Sequence, residues 1–229
     1  MKKAIVLCSG GLDSATTAHY VKNKLMCNAM TILFFNYGQK SLKAERKCAR
    51  DCAKELKAKF IEMPVPELAS LSTSLINLKG KTRKITKKEL KDTAEEIKKW
   101  YVPCRNLIFL SYALALAESR YIGKKEKSDI FVGFKCEGKE PYPDATREFI
   151  DAMNNVARTS CAYSIRIKAP LIEKDKEDIV LLGKNLGVDF TKTHSCYTKN
   201  KHCGQCLACQ LRKAGFYWAN MPDPTLYER

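Results

Sequence analysis

The residues Cys-Ser-Gly-Gly-Leu-Asp-Ser at positions 8–14 constrain the fold of this chain more than any other segment. They follow a short run of β-forming apolar residues at positions 4–7 and lead into a segment with helical character. The two glycines can adopt backbone angles closed to other residues, which lets an anion approach the main chain. The N–H groups at a helix start are unpaired and carry partial positive charge. The segment therefore predicts a strand, a tight turn and a helix start that together hold a phosphate group.

The order Ser9, Gly10, Gly11, Asp13 and Ser14 resembles the PP-loop of ATP pyrophosphatases, which split ATP into AMP and pyrophosphate. The segment lacks the lysine of the G-x-x-x-x-G-K-[ST] loop and does not fit G-x-G-x-x-G. The resemblance implies that the loop holds pyrophosphate and that Asp13 lies near the phosphates and their Mg²⁺. The alternative is an ordinary turn between a strand and a helix.

Strands alternate with helices along the chain, which is typical of an α/β fold with a parallel sheet. We predict strands at about 4–8, 29–35, 59–63, 129–134 and 165–167, and helices at about 13–24, 41–59, 107–120, 146–157 and 175–186. We expect Asn106 to cap the third long helix, whose apolar run 107–117 reads as buried and is too short to span a bilayer. Residues 64–99 show no strong period and read as an insertion over the active face.

The chain of 229 residues carries a formal net charge of +16 and eleven cysteines. A surface this basic attracts polyanions, although lysines scattered along the chain also fit an ordinary solvated surface. The sequence shows no export signal, so we expect reduced thiols, metal ligands and a cytoplasmic location rather than a disulfide framework.

Four of the cysteines, Cys196, Cys203, Cys206 and Cys209, lie close together near the carboxyl terminus. Four thiolates satisfy tetrahedral Zn²⁺, and a closed set of four ligands predicts one structural zinc per chain. An iron–sulfur cluster is the rival, and His194 and His202 are spare candidates for a Cys₃His set. We expect the other seven cysteines to be small core residues and the residues after the cluster to form a short tail.

Several short motifs lie in a fixed order between the loop and the cysteine cluster. They are Asn36-Tyr37-Gly38-Gln39, Val102-Pro103-Cys104-Arg105-Asn106, Glu137-Gly138 with Tyr142-Pro143-Asp144, Ala169-Pro170-Leu171, and Ser195-Cys196-Tyr197. In this order they resemble the 7-cyano-7-deazaguanine synthase (QueC) family, over nearly the whole chain apart from residues 64–99. The resemblance implies a Rossmann-like PP-loop domain, of the adenine nucleotide alpha hydrolase type, at residues 1–190. A small Cys₄ zinc-binding subdomain and tail would follow at residues 191–229.

The resemblance also implies the reaction, in which 7-carboxy-7-deazaguanine is joined to AMP, ammonia displaces the AMP, and a second ATP drives the amide to the nitrile. It implies Asp13 and Arg105 as catalytic residues. The implied ATP contacts are Cys8, Ser9, Gly10, Gly11, Leu12, Asp13, Ser14, Tyr37, Gly38 and Gln39, with Mg²⁺. The implied substrate contacts are Arg105, Asn106, Glu137 and Asp144. Each of these polar residues could instead anchor a loop or face solvent.

Two departures leave the nucleophile open. Cys104 stands where a small residue is usual in the family, and the loop 137–145 lacks the Tyr-Ser-Gly and the following Cys of bacterial members. One alternative is therefore a paralogue that stops at the amide or joins the base to a protein amine. The others are a PP-loop enzyme that modifies tRNA and a non-enzymatic zinc-ribbon binding module. In the synthase reading, nucleic acid and membranes are not required, and a homodimer stays open.

Overall fold

Five parallel strands form one sheet in the part of the chain that the structure, a computed structural model, describes: residues 3–78, 80, 85, 90, 93–135 and 142–228. The strands are β1 (Lys3–Leu7), β2 (Ala29–Asn36), β3 (Lys59–Pro64), β4 (Ser128–Phe131) and β5 (Ile167–Lys168). Their order across the sheet is β3-β2-β1-β4-β5, and Val6 of the central strand faces Ile32 on one side and Phe131 on the other. The predicted parallel α/β sheet is confirmed.

Helices connect the strands. In the described residues they are α1 (Leu12–His19), α2 (Leu42–Glu55), α3 (Glu67–Leu71), α4 (Ala94–Trp100), α5 (Arg105–Lys124), α6 (Arg147–Ser160), α7 (Lys176–Asn185) and α8 (Leu207–Trp218). A π-helical turn, Tyr20–Lys24, continues α1, and short 3₁₀ turns lie at Pro143–Ala145 and Phe190–Lys192. None of the helices in these residues combines the length and the apolar character needed to cross a membrane.

The central strands are buried on both faces, which explains their nearly continuous apolar sequences. Side chains alternate between the faces of a strand, so Ile5 and Leu33 join the hydrophobic cluster that contains Leu110 of α5. Val6 and Ile32 point the other way, into the cluster that contains Ala49 of α2. The sheet is thus held between α5 on one face and α2 on the other.

Parallel strands bring their carboxyl ends to one edge of the sheet, and this edge collects the motifs that the sequence separates. The loop 8–14 follows β1, Tyr37 follows β2, and residues 132–134 follow β4. Arg105 and Asn106 lie at the same edge, at the start of α5. Both residues line one cavity together with the loop.

The start and the exposure of α5 differ from the prediction. Asn106 lies inside the helix, and Cys104 is the N-cap residue, with a left-handed backbone (φ 53°). The Asn106 side chain instead donates to the carbonyl of Asp144, a tertiary contact that the local sequence does not reveal. The helix is also not fully buried, since Leu107 and Tyr112 are exposed on one face.

The carboxyl-terminal region and residues 64–99 are more ordered than expected. Residues 207–218, predicted as the end of the cysteine cluster and part of a short tail, form α8. The metal-ligand spacing of the cysteines obscured the apolar spacing of this helix. In the described part of 64–99, Leu68, Ile76 and Ile97 belong to the main hydrophobic cluster. The helix α4, Ala94–Trp100, begins within this region.

Of the seven remaining cysteines, three behave as predicted core residues: Cys8, Cys27 and Cys52 are buried. Cys48 and Cys161 are only half-buried, and Cys104 is exposed, so the prediction is wrong for Cys104. Cys136 lies outside the described residues.

Arg212 of α8 connects the carboxyl-terminal tail to the loop before the cysteine cluster. The side chain is 1% exposed, and its guanidinium donates to the Asp223 carboxylate (3.2 Å), the Thr193 hydroxyl (2.7 Å) and the Phe190 carbonyl (3.0 Å). Burial alone would raise the pKa of Asp223, but the Tyr227 hydroxyl and Arg212 outweigh it and hold this pKa below its usual value.

Replacing Arg212 by Met should lower the free energy of unfolding by about 3–5 kcal/mol, because the Asp223 charge would stay buried without its partner. Urea unfolding at neutral pH measures the effect. The matched control is Arg147→Met, which breaks an exposed ion pair with Glu173 and should cost no more than about 1 kcal/mol. Similar losses in both variants would contradict a structural role for Arg212.

The contribution of Asp223 should depend on pH in a defined direction. Its pKa is lowered in the folded protein, so its stabilisation is present above the unfolded value of about 3.9 and is lost as pH falls toward the folded pKa. The same unfolding measurement across an acid series should show this loss in the wild type. Asp223→Asn should flatten it, and an unchanged acid profile would rule out the coupling.

Candidate active site

The loop after β1 lies close against α2. Gly10 has φ of +76°, and a Cβ there would lie 2.5 Å from the Cβ of Cys48 and 2.6 Å from the backbone nitrogen of Ala49. The Gly10 carbonyl accepts from the His194 N–H at 2.9 Å, which joins the loop to the region before the cysteine cluster. Only glycine fits both the backbone angle and the space at this position.

The segment that follows β4 also approaches the loop closely. A Cβ at Gly133 would lie 3.0 Å from backbone atoms of Asp13 and Ser14. On the loop itself, the hydroxyls of Ser9 and Ser14 are 3.3 Å apart, and the Ser14 hydroxyl donates to the Gly11 carbonyl at 3.2 Å. The loop therefore places two hydroxyls side by side next to the first turn of α1.

Asp13, in the first turn of α1, forms an ion pair with Lys176. The Lys176 ammonium donates to both carboxylate oxygens of Asp13, at 3.1 and 2.8 Å. Lys176 begins α7, so the pair joins two helix starts at the phosphate loop. Sequence reasoning missed Lys176, because 163 positions separate it from Asp13 and no local pattern marks it.

A cavity of about 260 Å³ opens between this loop and the starts of α2, α5 and α8. Its phosphate-loop end is lined by Cys8, Ser9, Gly11, Leu12, Asp13, Ser14, Gly133 and Lys176. Its other wall is formed by Phe35, Tyr37, Glu45, Ile76, Arg105, Asn106, Phe109, Ser195, Tyr197 and Arg212. One cavity thus brings together a phosphate-binding loop, an arginine and several aromatic rings, which is the chemistry needed to hold a nucleotide beside a planar anion.

Tyr37 and Arg105 form one polar wall of the cavity. The Arg105 guanidinium lies 3.5 Å from the Tyr37 hydroxyl and 5.8 Å from the centre of its ring. Burial raises the pKa of Tyr37 to about 12, so its phenol stays protonated. Burial alone would lower the pKa of Arg105, but its electrostatic partners, Tyr37 foremost, hold it above its ordinary value, so the side chain stays cationic.

Asp144 lies behind this wall rather than on it. Its carboxylate accepts the Asn106 N–H at 2.9 Å, so it satisfies an unpaired donor at the start of α5. Burial raises the pKa of Asp144 above its ordinary value, against the opposing effects of the Asn106 N–H and Arg105. Asp144 is not among the residues that line the described cavity.

The remaining candidates fall into three groups. Asn106 lines the cavity, as do the loop residues apart from Gly10. Gly38 and Gln39 do not line it, and Gln39 is a buried structural link whose amide donates to the Phe35 carbonyl and to Glu45, both at 3.0 Å. Glu137 lies outside the described residues.

The four clustered cysteines form a single buried group. The sulfur atoms of Cys196, Cys203, Cys206 and Cys209 all lie within 4.8 Å of one another. Tetrahedral zinc with Zn–S distances of about 2.3 Å requires sulfur separations of about 3.8 Å, so these residues fit a metal with small adjustments. The N–H groups of Gln205 and Cys206 both point at the Cys203 sulfur, at 3.4 Å, as expected for a thiolate ligand.

The side chains of the two nearby histidines form hydrogen bonds with backbone groups. His194 Nε2 lies 3.1 Å from the Cys196 carbonyl and 3.0 Å from the Lys199 carbonyl, and His202 Nε2 accepts the Ser195 N–H at 3.1 Å. Neither histidine belongs to the metal-compatible group in the described residues. The geometry therefore favours four cysteines over a Cys₃His set.

Replacing Gly10 by Ala should destabilise the protein more than Gly187→Ala, which has the same kind of backbone angle (φ +79°) but open space around it. The control should lose about 1–2 kcal/mol of unfolding free energy from the backbone angle alone. Gly10→Ala should lose about 1–3 kcal/mol more, because α2 must move. Urea unfolding of both variants measures the difference, and equal losses would show that the close approach to α2 does not matter.

Comparisons with known proteins agree with this site. The family model described as queuosine biosynthesis protein QueC matches residues 3–220. The 7-cyano-7-deazaguanine synthase of Syntrophus aciditrophicus is 40% identical over 239 residues, covering 99% of this chain and 98% of that protein. Proteins of the same name from Methanobrevibacter smithii (35% identical, 99% of this chain and 98% of that protein) and Legionella pneumophila (38%, 100% and 98%) are also similar. The chain therefore belongs to the QueC family.

Proposed function

We propose that this chain is an ATP-dependent ligase that converts 7-carboxy-7-deazaguanine and ammonia to 7-cyano-7-deazaguanine. The observation that carries the proposal is the match to relatives named 7-cyano-7-deazaguanine synthase over nearly the full length of both chains. The cavity supports it, because it joins a pyrophosphate-type loop to a wall with Arg105 and aromatic rings. Family membership does not favour the tRNA-modifying, conjugating or zinc-ribbon alternatives.

The reaction needs activation because a carboxylate is a poor electrophile. Its oxygen attacks the α-phosphate of ATP, pyrophosphate leaves, and the acyl adenylate forms. Ammonia then displaces AMP and gives the amide. A second ATP activates the amide oxygen, and the loss of that oxygen with AMP leaves the nitrile. Both activations release pyrophosphate, so one loop that holds pyrophosphate serves both steps.

The loop residues would hold the leaving pyrophosphate. The N–H groups at the start of α1 and the hydroxyls of Ser9 and Ser14 are donors that a phosphate accepts from. The Asp13 carboxylate is the kind of oxygen ligand that Mg²⁺ takes, and Mg²⁺ bound with ATP would neutralise phosphate charge. Lys176, 2.8 Å from Asp13, adds a cation at the same end of the cavity.

Arg105 would neutralise the substrate carboxylate or a phosphate at the other wall. Asn106, beside it on the cavity surface, would form a hydrogen bond to the deazaguanine base through its side-chain amide. For Asp144 we propose an indirect role, since its carboxylate holds the first turn of α5 through the Asn106 N–H. Glu137 keeps its proposed role as an acceptor for the N–H groups of the deazaguanine edge, which match the lone pairs of a carboxylate.

For the cysteine cluster we propose one structural Zn²⁺. The four buried sulfurs fit a closed tetrahedral site, and a closed site leaves no position for substrate. A metal site of reduced thiols also supports a cytoplasmic location in this proposal.

Purified protein should bind one zinc per chain, and Cys209→Ser should lose zinc and unfold at lower urea concentration, since metal binding energy contributes to folding. Cys161→Ser, outside the cluster, is the matched control and should keep both zinc and stability. Elemental analysis and urea unfolding measure the two properties. Iron in place of zinc, or full stability of Cys209→Ser without metal, would contradict the proposal.

With 7-carboxy-7-deazaguanine, ammonium and Mg²⁺, the protein should convert ATP to AMP and pyrophosphate and make the nitrile without tRNA. Asp13→Asn should lower turnover by about 10²–10³-fold, because Asp13 acts on charge at the phosphates. Asp51→Asn, in an exposed ion pair with Lys47, is the control and should keep full activity. Phosphorus NMR and mass spectrometry identify the products.

The other outcomes point to specific alternatives. ADP as the main product would exclude the pyrophosphatase chemistry. Activity only with tRNA, falling steeply with added salt, would favour the tRNA-modifying enzyme, since binding to a polyanion releases counterions. ATP consumption without ammonia incorporation would favour the conjugating paralogue.

A further inference from the structure

Glu45 lines the same cavity as the phosphate loop, yet the reaction described above gives it no task. It lies in the first turn of α2. Among the described residues that line the cavity, Asp13 and Glu45 are the carboxylates. Asp13 is held by Lys176 at the phosphate end. Glu45 lines the cavity near Tyr37 and Arg105, both of which interact with it electrostatically.

The contacts of Glu45 fix its position and leave acceptor capacity. One oxygen accepts the Ser41 hydroxyl at 2.5 Å, and the other accepts the Gln39 amide at 3.0 Å. Gln39 cannot turn away easily, because its oxygen accepts the Tyr37 N–H and its nitrogen also donates to the Phe35 carbonyl. Each carboxylate oxygen can accept two hydrogen bonds, so each has one acceptor site beyond these contacts.

Both of these donors are neutral. Within the described part of the chain, Glu45 has no ion pair with a lysine, arginine or histidine nitrogen within 4.0 Å. A partly buried carboxylate with no directly paired cation is costly, although Arg105 stabilises its charge from a longer distance. The arrangement therefore favours a ligand that brings both N–H donors and positive charge.

The groups around Glu45 decide how readily it holds a proton. Arg105 from α5 favours the charged form, whereas Cys196 of the cysteine cluster disfavours it. Tyr37 and Cys48 are titratable neighbours whose pKa values lie above their ordinary values, so both stay neutral at pH 7. Burial outweighs the hydrogen bonds from Ser41 and Gln39 and raises the pKa of Glu45 above its ordinary value. A carboxylate with a raised pKa is a stronger base than one on the surface.

Among the reactants of the proposed function, one is a cation with only N–H donors. ATP is an anion, and 7-carboxy-7-deazaguanine carries a carboxylate, which Glu45 would repel. Ammonia exists at neutral pH mainly as ammonium, which has no lone pair and cannot attack a carbonyl carbon. If ammonium is the species that binds, one proton must be removed from it before the amide can form.

We propose that Glu45 binds the ammonium ion in the cavity and takes one of its protons, which releases ammonia beside the activated carboxylate. The inference rests on the proposed function and adds a residue that handles the nitrogen source. Ser41 and Gln39 are positioning residues for the Glu45 carboxylate.

The step balances as follows. An N–H bond of ammonium breaks, its electron pair stays on nitrogen, and the proton joins a Glu45 oxygen. The nitrogen lone pair attacks the carbonyl carbon of the acyl adenylate, and the bond between that carbon and the AMP oxygen breaks with its electron pair leaving on AMP. The nitrogen releases a second proton to solvent as the neutral amide forms. Glu45 then returns its proton to solvent.

The test compares Glu45→Gln with Glu55→Gln, the same substitution on the same helix. Glu55 lies outside the cavity, near His19 and Lys192, and its variant should match the wild type. In Glu45→Gln, the Ser41 hydroxyl can rotate to accept from the new amide, so the fold should survive. Amide formation from ammonium should fall by about 10²–10⁴-fold, the usual contribution of a positioned base.

Hydroxylamine separates proton removal from other roles, because it is neutral at pH 7 and attacks without losing a proton first. Glu45→Gln should form hydroxamate from hydroxylamine at a rate close to that of the wild type. With ammonium, its rate should recover roughly tenfold for each pH unit as free ammonia increases, while the wild-type profile stays flatter. The KM values for ATP and the carboxylate substrate should not change.

The other possible outcomes distinguish an error in the role of Glu45 from an error in the proposed function. Equal use of ammonium by Glu45→Gln and the wild type would overturn the role of Glu45 and leave the proposed function standing. A raised KM for the deazaguanine, with loss of both nucleophiles, would assign Glu45 to base recognition instead. A wild type that makes no product from ammonium would overturn the proposed function and this inference with it. If Glu45→Gln does not fold, Glu45→Asp, which withdraws the carboxylate by one methylene, should show a raised KM for ammonium alone.

Discussion

The close contact between the loop after β1 and helix α2 is the constraint on which the site depends. At Gly10 the backbone of the loop lies where any Cβ would meet α2, and the Gly10 carbonyl accepts the His194 N–H. One residue thereby sets the distance from the loop to α2 and to the segment before the cysteine cluster. Because α2 also carries Glu45, the same contact places this carboxylate in the cavity that the loop lines. A shift of α2 would therefore disturb both the phosphate loop and the proposed site for the nitrogen source.

The two ends of the cavity present different polar groups to a ligand. At one end, helix N-termini, hydroxyls and Lys176 favour the phosphates of ATP. At the other, Arg105 stands beside Tyr37, whose raised pKa keeps it neutral, and Glu45 adds a carboxylate with neutral hydrogen-bond partners. In the proposed acyl transfer from an adenylate to ammonia, the leaving group is an anion and the nitrogen would arrive as a cation, so each would find a partner of opposite charge in the cavity. The net charge of +16 contributes to attraction over longer distances, but the local arrangement decides which group binds where.

The cysteine cluster and the carboxyl-terminal tail stabilise the segment that contacts the phosphate loop. Cys206 caps α8, and Cys209 lies in its first turn, so a metal at the cluster would fix the start of this helix. Farther along α8, Arg212 holds the Phe190 carbonyl, Thr193 and Asp223, and it also lines the cavity. The buried arginine thus fixes the segment that contains His194 and Ser195 against the phosphate loop, and a metal at the cluster would add to this.

The sequence by itself determined the parts that depend on local pattern: the phosphate loop, the alternation of strands and helices, the ligand spacing of the cysteines and the family. These features can be predicted from the sequence because a strand, a tight turn or a chelating pair is specified by neighbouring residues. Only the tertiary structure decided that Lys176 pairs with Asp13, that Asn106 binds Asp144 instead of capping α5, and that Glu45 reaches the cavity. Each of these contacts joins residues that are far apart in the sequence. They form because the fold brings their elements together at one edge of the sheet. Local pattern carries no signal for such contacts, and in α8 the cysteine spacing even concealed a helix.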